Sequence, residues 1–145
     1  MMEVFASIVI DAPADKIWSV LRNFVGLTVW SQAVSAAHIT NKKAPDQVGA
    51  IRRLEIVDGS VFLETLVAFS DEAMTLKYDI VEGPIPVTNY VATMQVYQVT
   101  DGDMGYVTWG AEFDTPEDQV DLMREVVGSQ ICADGLKALK AHIEV

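Results

Sequence analysis

Five strand-like segments follow one another through the middle of the chain with almost nothing between them. They run over 48–57, 60–70, 73–82, 87–99 and 105–114. The joints carry turn chemistry: Asp58-Gly59, Asp71-Glu72, Glu82-Gly83-Pro84-Ile85-Pro86 and Thr100-Asp101-Gly102-Asp103. Parallel neighbours need a crossover of a dozen or more residues, and these joints are too short for one. The middle of the chain is therefore expected to be an antiparallel meander.

The flanking segments complete the frame. Glu3 to Asp11 alternates around Val4, Ala6, Ile8 and Ile10, as a strand does. "APADKIWSVLRNF" follows, with Pro13 near a helix start, Ile17, Trp18, Leu21 and Phe24 at helical spacing, and Gly26 closing the helix. "LTVWSQ" reads as a second short helix, Ser35 to Thr40 as a strand, and "NKKAPDQVG" as an exposed loop. The end reads as one long helix over about 116–143. Thr115 is its expected N-cap, Pro116 its first residue, and Glu117 and Asp118 complement the positive end of its dipole. Val120, Met123, Val127, Ile131 and Leu139 form its apolar stripe. Gly128 and Gly135 lie on nearly one face of it, either for close packing on a sheet or to leave room for a ligand.

The order predicts an α+β fold in one domain, residues 1–145: a seven-stranded antiparallel sheet, curved around a long C-terminal helix, with two short helices after strand 1. One helix cannot fill the concavity of such a sheet, so a cavity is expected between them.

Composition narrows the partners. The net charge of −11 argues against nucleic acid and against docking on anionic lipid. Half of the residues are hydrophobic, yet no apolar run approaches a membrane span. Met1 to Ile10 carries Glu3 and no basic residue, and Asp11-Ala12-Pro13 interrupts it, so no targeting segment is expected there. The single cysteine, Cys132, allows no intrachain disulfide, which favours a reducing, cytoplasmic setting. His38 and His142 have no ligand cluster at metal spacing, and no Gly-rich loop opens a helix, so neither a metal nor a nucleotide cofactor is expected. Ser31 has no nearby His to make it a nucleophile, and Cys132 reads as a small buried hydrophobe.

Two charges break the strand pattern. In "GAIRRLEIVDGSVFLETL", residues 49–66, Arg52 shares a face with Ala50, Leu54 and Ile56, and Glu64 with Phe62, Leu66 and Ala68. Both faces are apolar, where a charge is costly unless paired. A three-residue turn would set Arg52 opposite Glu64; a two-residue turn would set Arg53 there instead. Parity favours the first, because Arg53 shares its face with Ile51 and Glu55. The same parity turns Tyr78 inward with Met74, Leu76 and Ile80, and Tyr90 inward with Ala92, Met94 and Val96. On the last strand Val107, Trp109, Ala111 and Phe113 face in. The inner polar set is then Arg52, Glu64, Tyr78 and Tyr90, among Phe62, Met94, Trp109 and Phe113. One interpretation is a structural ion pair with two core tyrosines. The other is a cavity with a carboxylate for proton transfer, a guanidinium for an anionic oxygen, and two phenols as donors.

"IDAPADKIWSVLRNF" with Trp30, then "GAIRRLEIVDGSVFLETL", "LKYDIVEGPIPVTNY", "VTWGAEFD" and the terminal helix resemble the START/Bet v 1-like (SRPBCC) superfamily, in its polyketide cyclase/dehydrase-type branch. The resemblance covers nearly the whole chain and implies a helix-grip fold with a ligand cavity. Within the branch, the plant lachrymatory factor synthases are similar in carrying a cavity Arg and Glu followed by two tyrosines. Arg52 in Gly49-Ala50-Ile51-Arg52, Glu64, Tyr78 and Tyr90 match that order, with a shorter step from Arg to Glu. Many members have Trp-His-Pro where this chain has Trp30-Ser31-Gln32, so no role passes to that position.

The resemblance implies a small hydrophobic or amphipathic ligand and cofactor-free proton transfer: cyclisation, isomerisation or elimination. Glu64 would move the proton, Arg52 would orient it and stabilise negative charge, and Tyr78 and Tyr90 would donate hydrogen bonds. Trp30, Phe62, Met94, Trp109, Phe113, Met123, Val127 and Ile131 would shape the pocket. The alternatives are a non-catalytic carrier and an interaction module gated by the loop at Gly83–Pro86. A monomer or homodimer is expected.

Overall fold

The computed structural model describes residues 1–145. Seven strands form one antiparallel sheet: β1 (Met2–Ile10), β2 (Val34–Ile39), β3 (Ile51–Ile56), β4 (Val61–Ser70), β5 (Thr75–Asp79), β6 (Thr88–Val99) and β7 (Met104–Asp114). Their spatial order is β1-β7-β6-β5-β4-β3-β2, so the meander runs from β2 to β7 and β1 closes against β7. Register breaks at Val34/Ala36, Leu66/Ala68 and Thr88/Val91 mark bulges, which bend the sheet. The fifth strand is shorter than its sequence pattern suggests: Met74 adopts a left-handed φ of 53° just before it, and after it Val81 and Glu82 bond back to Leu63 instead.

Two short helices, α1 (Ala14–Leu21) and α2 (Leu27–Trp30), connect β1 to β2. Ile17, Trp18, Leu21 and Phe24 are buried, as their spacing requires. Gly26 does not close α1; it stands at the start of α2, and Arg22 caps α1. Trp18 Nε1 and Arg22 Nε both donate to Asp71 Oδ1 at 2.8 Å, which ties α1 to the β4–β5 turn.

The C-terminal helical run departs from the expected single α-helix. It opens with a 3₁₀ turn (Glu117–Gln119) and an α-turn, α3 (Val120–Met123). A π-helical stretch (Arg124–Ala133) follows, and α4 (Asp134–Ile143) ends it. Thr115 is not a side-chain cap: its hydroxyl donates to the Pro86 carbonyl at 2.7 Å, and Pro116 is extended. The Asp134 N–H reaches the Ser129 carbonyl, five residues back. This wider winding changes which side chains meet the sheet. The buried positions are Met123, Val127, Cys132, Leu136, Leu139 and Ile143, with a step of five between Val127 and Cys132. An α-helical step would have placed Ile131 in the core; the π winding puts the smaller Cys132 there and frees Ile131 sideways.

The β3–β4 hairpin carries the two charges. Its loop is Val57-Asp58-Gly59, closed by the Ile56 N–H donating to the Ser60 carbonyl at 2.9 Å. The Asp58 carboxylate accepts from the Ser60 N–H and hydroxyl, and Gly59 adopts φ 92°. The three-residue loop fixes the register, and Arg52 is the direct partner of Glu64. Arg53 faces the other way and pairs with Glu55.

A Cβ at Gly59 would touch nothing within 4 Å. Gly59→Ala therefore tests backbone conformation alone, and it is expected to lower stability by about 1 kcal/mol. In urea melts the midpoint falls while the slope stays constant. An unaltered midpoint would show that the loop does not hold the hairpin register.

Candidate functional site

A cavity of about 330 Å³ lies between the sheet and the C-terminal helix. That volume suits a small organic ligand. Arg52, Leu54 and Ile56 from β3 form one wall with Phe62 and Glu64 from β4. Tyr78 from β5, Tyr90 from β6 and Trp109 from β7 form its floor. Ile131, Gly135 and Ala138 of the helix cover it. The mouth is mostly polar: Gln32 after α2, and Gln130 and Asp134 on the helix, are exposed, as is Ala33.

The ion pair is one-sided. Arg52 Nε lies 2.8 Å and Nη2 2.6 Å from the same oxygen, Glu64 Oε1. Nη1 donates to the Phe24 carbonyl at 2.8 Å. The guanidinium also lies against two rings that are tilted to each other, 3.9 Å from the Phe24 centroid and 4.7 Å from that of Tyr78. Arg52 is thus held by hydrogen bonds at its edges and by contact with two aromatic rings. Glu64 Oε2 accepts no hydrogen bond from the protein and opens into the cavity.

The phenols form a second polar group. Trp109 Nε1 donates to the Tyr78 hydroxyl at 3.0 Å, which fixes Tyr78 and leaves its proton to be donated onward. The Tyr78 and Tyr90 rings are 6.5 Å apart, and Tyr90 stacks on Phe113 at 5.5 Å. Gly135 makes room for this arrangement: a Cβ there would lie 2.5 Å from Trp109 Cζ3. Gly135 therefore serves close packing and also lines the cavity. Gly128 faces Val4 instead, at ordinary contact distance.

Burial governs the ionisation of the whole set. It pushes the Glu64 carboxyl above its usual 4.5, against the opposing pull of Arg52. Both tyrosines are raised well above 10, again mainly by burial, so they stay protonated donors at neutral pH. Cys132 is pushed up to about 12 by burial and remains a thiol.

Arg52, Glu64, Tyr78 and Tyr90 are brought together, with Phe62, Trp109 and Ile131 around them. Trp30, Met94, Phe113, Met123 and Val127 are not on the cavity surface; they are buried behind it. Trp30 packs edge-on against Trp109 at 6.3 Å, and its own indole N–H is buried without a partner. Strand and helix periodicity separates inside from outside but cannot separate the first layer of the inside from the second. The residues that the sequence reading missed are of two kinds. Leu27, Val34, Leu54 and Ile80 were legible as apolar but not as lining. Gln32, Gln130 and Asp134 carry no sequence signal, because a polar residue at a mouth looks like any solvated one.

A protein-family model described as polyketide cyclase/dehydrase and lipid transport matches residues 1–144. Among solved structures, the chain is similar to XoxI from Bacillus cereus, at 27% identity over 99% of this chain and 96% of that one, with a TM-score of 0.86. A Thermobifida fusca protein is 28% identical over 99% of this chain and 93% of that one, with a TM-score of 0.87. The di-domain ARO/CYC protein BexL, from the BE-7585A biosynthetic pathway, shares the fold at 15% identity. Its TM-score is 0.84, and the match covers 99% of this chain and 47% of BexL. No curated protein matches the sequence. The architecture is the Bet v 1-like helix grip. No helix is long and apolar enough to cross a membrane.

The raised Glu64 carboxyl gives a pH signature. A group whose folded pKa exceeds its unfolded value contributes stability that is fully present below the unfolded pKa and is lost as pH rises through the folded one. The stability of the native protein relative to Glu64→Gln should therefore be greatest below pH 4.5 and decline above it. Urea melts of both proteins across that range check the sign, and a difference that grows with pH would show that Arg52 outweighs burial.

Proposed function

The chain belongs to the polyketide cyclase/dehydrase and lipid transport family, and from that membership and the cavity chemistry we propose that it binds a small hydrophobic molecule and catalyses cofactor-free proton transfer on it. The observation that carries this reading is Glu64 Oε2, a carboxylate oxygen without a protein partner in an apolar cavity beside phenol donors. Burial makes that oxygen a stronger base than an exposed carboxylate, which is what abstraction of a proton beside a carbonyl demands.

The roles divide as follows. Glu64 Oε2 takes a proton from the carbon next to a ligand carbonyl. The electron pair of that C–H bond moves into the carbonyl, and negative charge develops on its oxygen. The Tyr90 hydroxyl, with Tyr78 behind it, donates to that oxygen. The protonated Glu64 then returns the proton to carbon or oxygen. This closes an isomerisation, or prepares the nucleophilic carbon for cyclisation. Arg52 orients Glu64 through Oε1. Its bonds to Glu64 and Phe24 leave stabilisation of the substrate oxygen to the phenols. Trp109 is a positioning residue for Tyr78. The family description also includes lipid transport, and a carrier would use the same cavity to hold a head group without turnover.

Exchange of an enolisable ketone separates the two. β-Tetralone in D₂O should lose its α-protons to deuterium faster with the protein than in buffer, followed by proton NMR. Glu64→Gln should slow the exchange by roughly a hundredfold while binding changes much less. Tyr90→Phe should slow it by roughly tenfold through loss of one donor. A native protein that binds the ketone without accelerating exchange would establish the carrier instead.

A further inference from the structure

We infer that the cavity selects its ligand by charge: it takes neutral molecules, with an acceptor oxygen for the Tyr90 hydroxyl, and it excludes carboxylates, sulfonates and phosphates. This rests on the reading of the cavity as the binding site. Arg52 is the one cationic residue that lines it. Its charge is compensated by Glu64 at 2.6 Å, one edge is taken by the Phe24 carbonyl, and the rings of Phe24 and Tyr78 pack against it. No lysine or histidine stands on the wall or at the mouth.

Around the compensated pair, the remaining charge is negative. Asp134 is exposed at the mouth, and the chain as a whole carries −11. An anion entering would shed its hydration into a lining of mostly apolar side chains without meeting a free cation. It would also approach the open oxygen of Glu64, a like-charge contact. A neutral molecule pays neither penalty. Its carbonyl oxygen accepts from Tyr90, and Glu64 Oε2 meets the uncharged C–H beside that carbonyl. The neutral amides Gln32 and Gln130 at the mouth suit a further uncharged polar group.

Two probes on one scaffold test this. N-phenyl-1-naphthylamine is neutral and carries an N–H donor; 8-anilinonaphthalene-1-sulfonate adds a sulfonate to the same rings. Fluorescence titration of the native protein should show the amine bound in the cavity and the sulfonate weaker by roughly a hundredfold, the size expected of a like-charge contact. Glu64→Gln removes the compensation of Arg52, so the ratio of affinities should move toward the sulfonate by tenfold or more, in protein shown folded by a thermal melt. If that variant does not fold, Asp134→Asn at the exposed mouth should move the ratio the same way by a few-fold. Equal affinity of the native protein for the two probes would overturn the charge selectivity and leave the proton-transfer reading standing. A ratio unmoved by every folded variant would overturn the assignment to these charges. Failure of the native protein to bind either probe would overturn both readings together.

Discussion

Arg52 and Glu64 face each other across two neighbouring strands on the buried side of the sheet. A buried ion pair adds little net stability, because desolvation offsets most of its attraction, yet removing one partner is strongly destabilising. It therefore acts as a constraint on everything that touches it. Slipping β3 by one residue against β4 would send Arg52 to the outer face, bring Arg53 inward and leave Glu64 buried without its partner. The three-residue loop, the Asp58 contacts and the positive φ at Gly59 prevent that slip. Phe24 supplies both a carbonyl and a ring to the guanidinium, so the end of the first helical segment is anchored to the same point. Tyr78 also packs against the guanidinium and is itself held by Trp109. One pair thus links β3, β4, β5, β7 and the segment after α1.

The cavity follows from how the helix meets that sheet. Gly135 allows the helix backbone to approach the Trp109 ring, and Gly128 lies against Val4 at ordinary contact distance. The helix accordingly lies against β1 and β7, on one side of the concavity, and the space over β3 to β6 is left open. The π winding between these contacts rotates Cys132 into the core and leaves Ile131 on the cavity wall. π-Helical winding is rare and is frequently found at functional sites. Here the segment sets which side chain a ligand meets.

Much of this was legible in the sequence, for a reason that also marks the limit. Alternation along a strand and short turns are local signals, so the seven strands, the antiparallel meander and the inward positions of Arg52, Glu64, Tyr78 and Tyr90 could be read from them. The opposition of Arg52 to Glu64 depended on a loop length, and parity decided it. The helix start did not follow its local signal: the Thr115 hydroxyl found the Pro86 carbonyl, a partner 29 residues away in sequence. The π winding departs from the 3.6-residue stripe, which set Val127 and Ile131 on one face: Val127 and Cys132 are buried, and Ile131 stands on the cavity wall. Depth was also invisible. Phe113 and Phe62 look alike in a strand pattern, but Phe113 is fully buried behind Tyr90 whereas Phe62 lines the cavity.

The asymmetry of the ion pair bears on why such a pair is kept at all. A structural pair in an apolar core would do best with both carboxylate oxygens engaged, since each unmet acceptor in a low-dielectric site costs free energy. Arg52 instead spends two donors on one oxygen of Glu64 and a third on a backbone carbonyl. The other oxygen faces a cavity whose floor carries two protonated phenols. Replacing the pair with apolar side chains would relieve the desolvation cost and still leave a pocket able to hold a hydrophobic ligand. A carrier of neutral molecules would therefore gain little from Glu64. A proton-transfer site gains a fixed base of raised pKa, held at one oxygen and open at the other, next to donors placed for the charge that develops when the base acts.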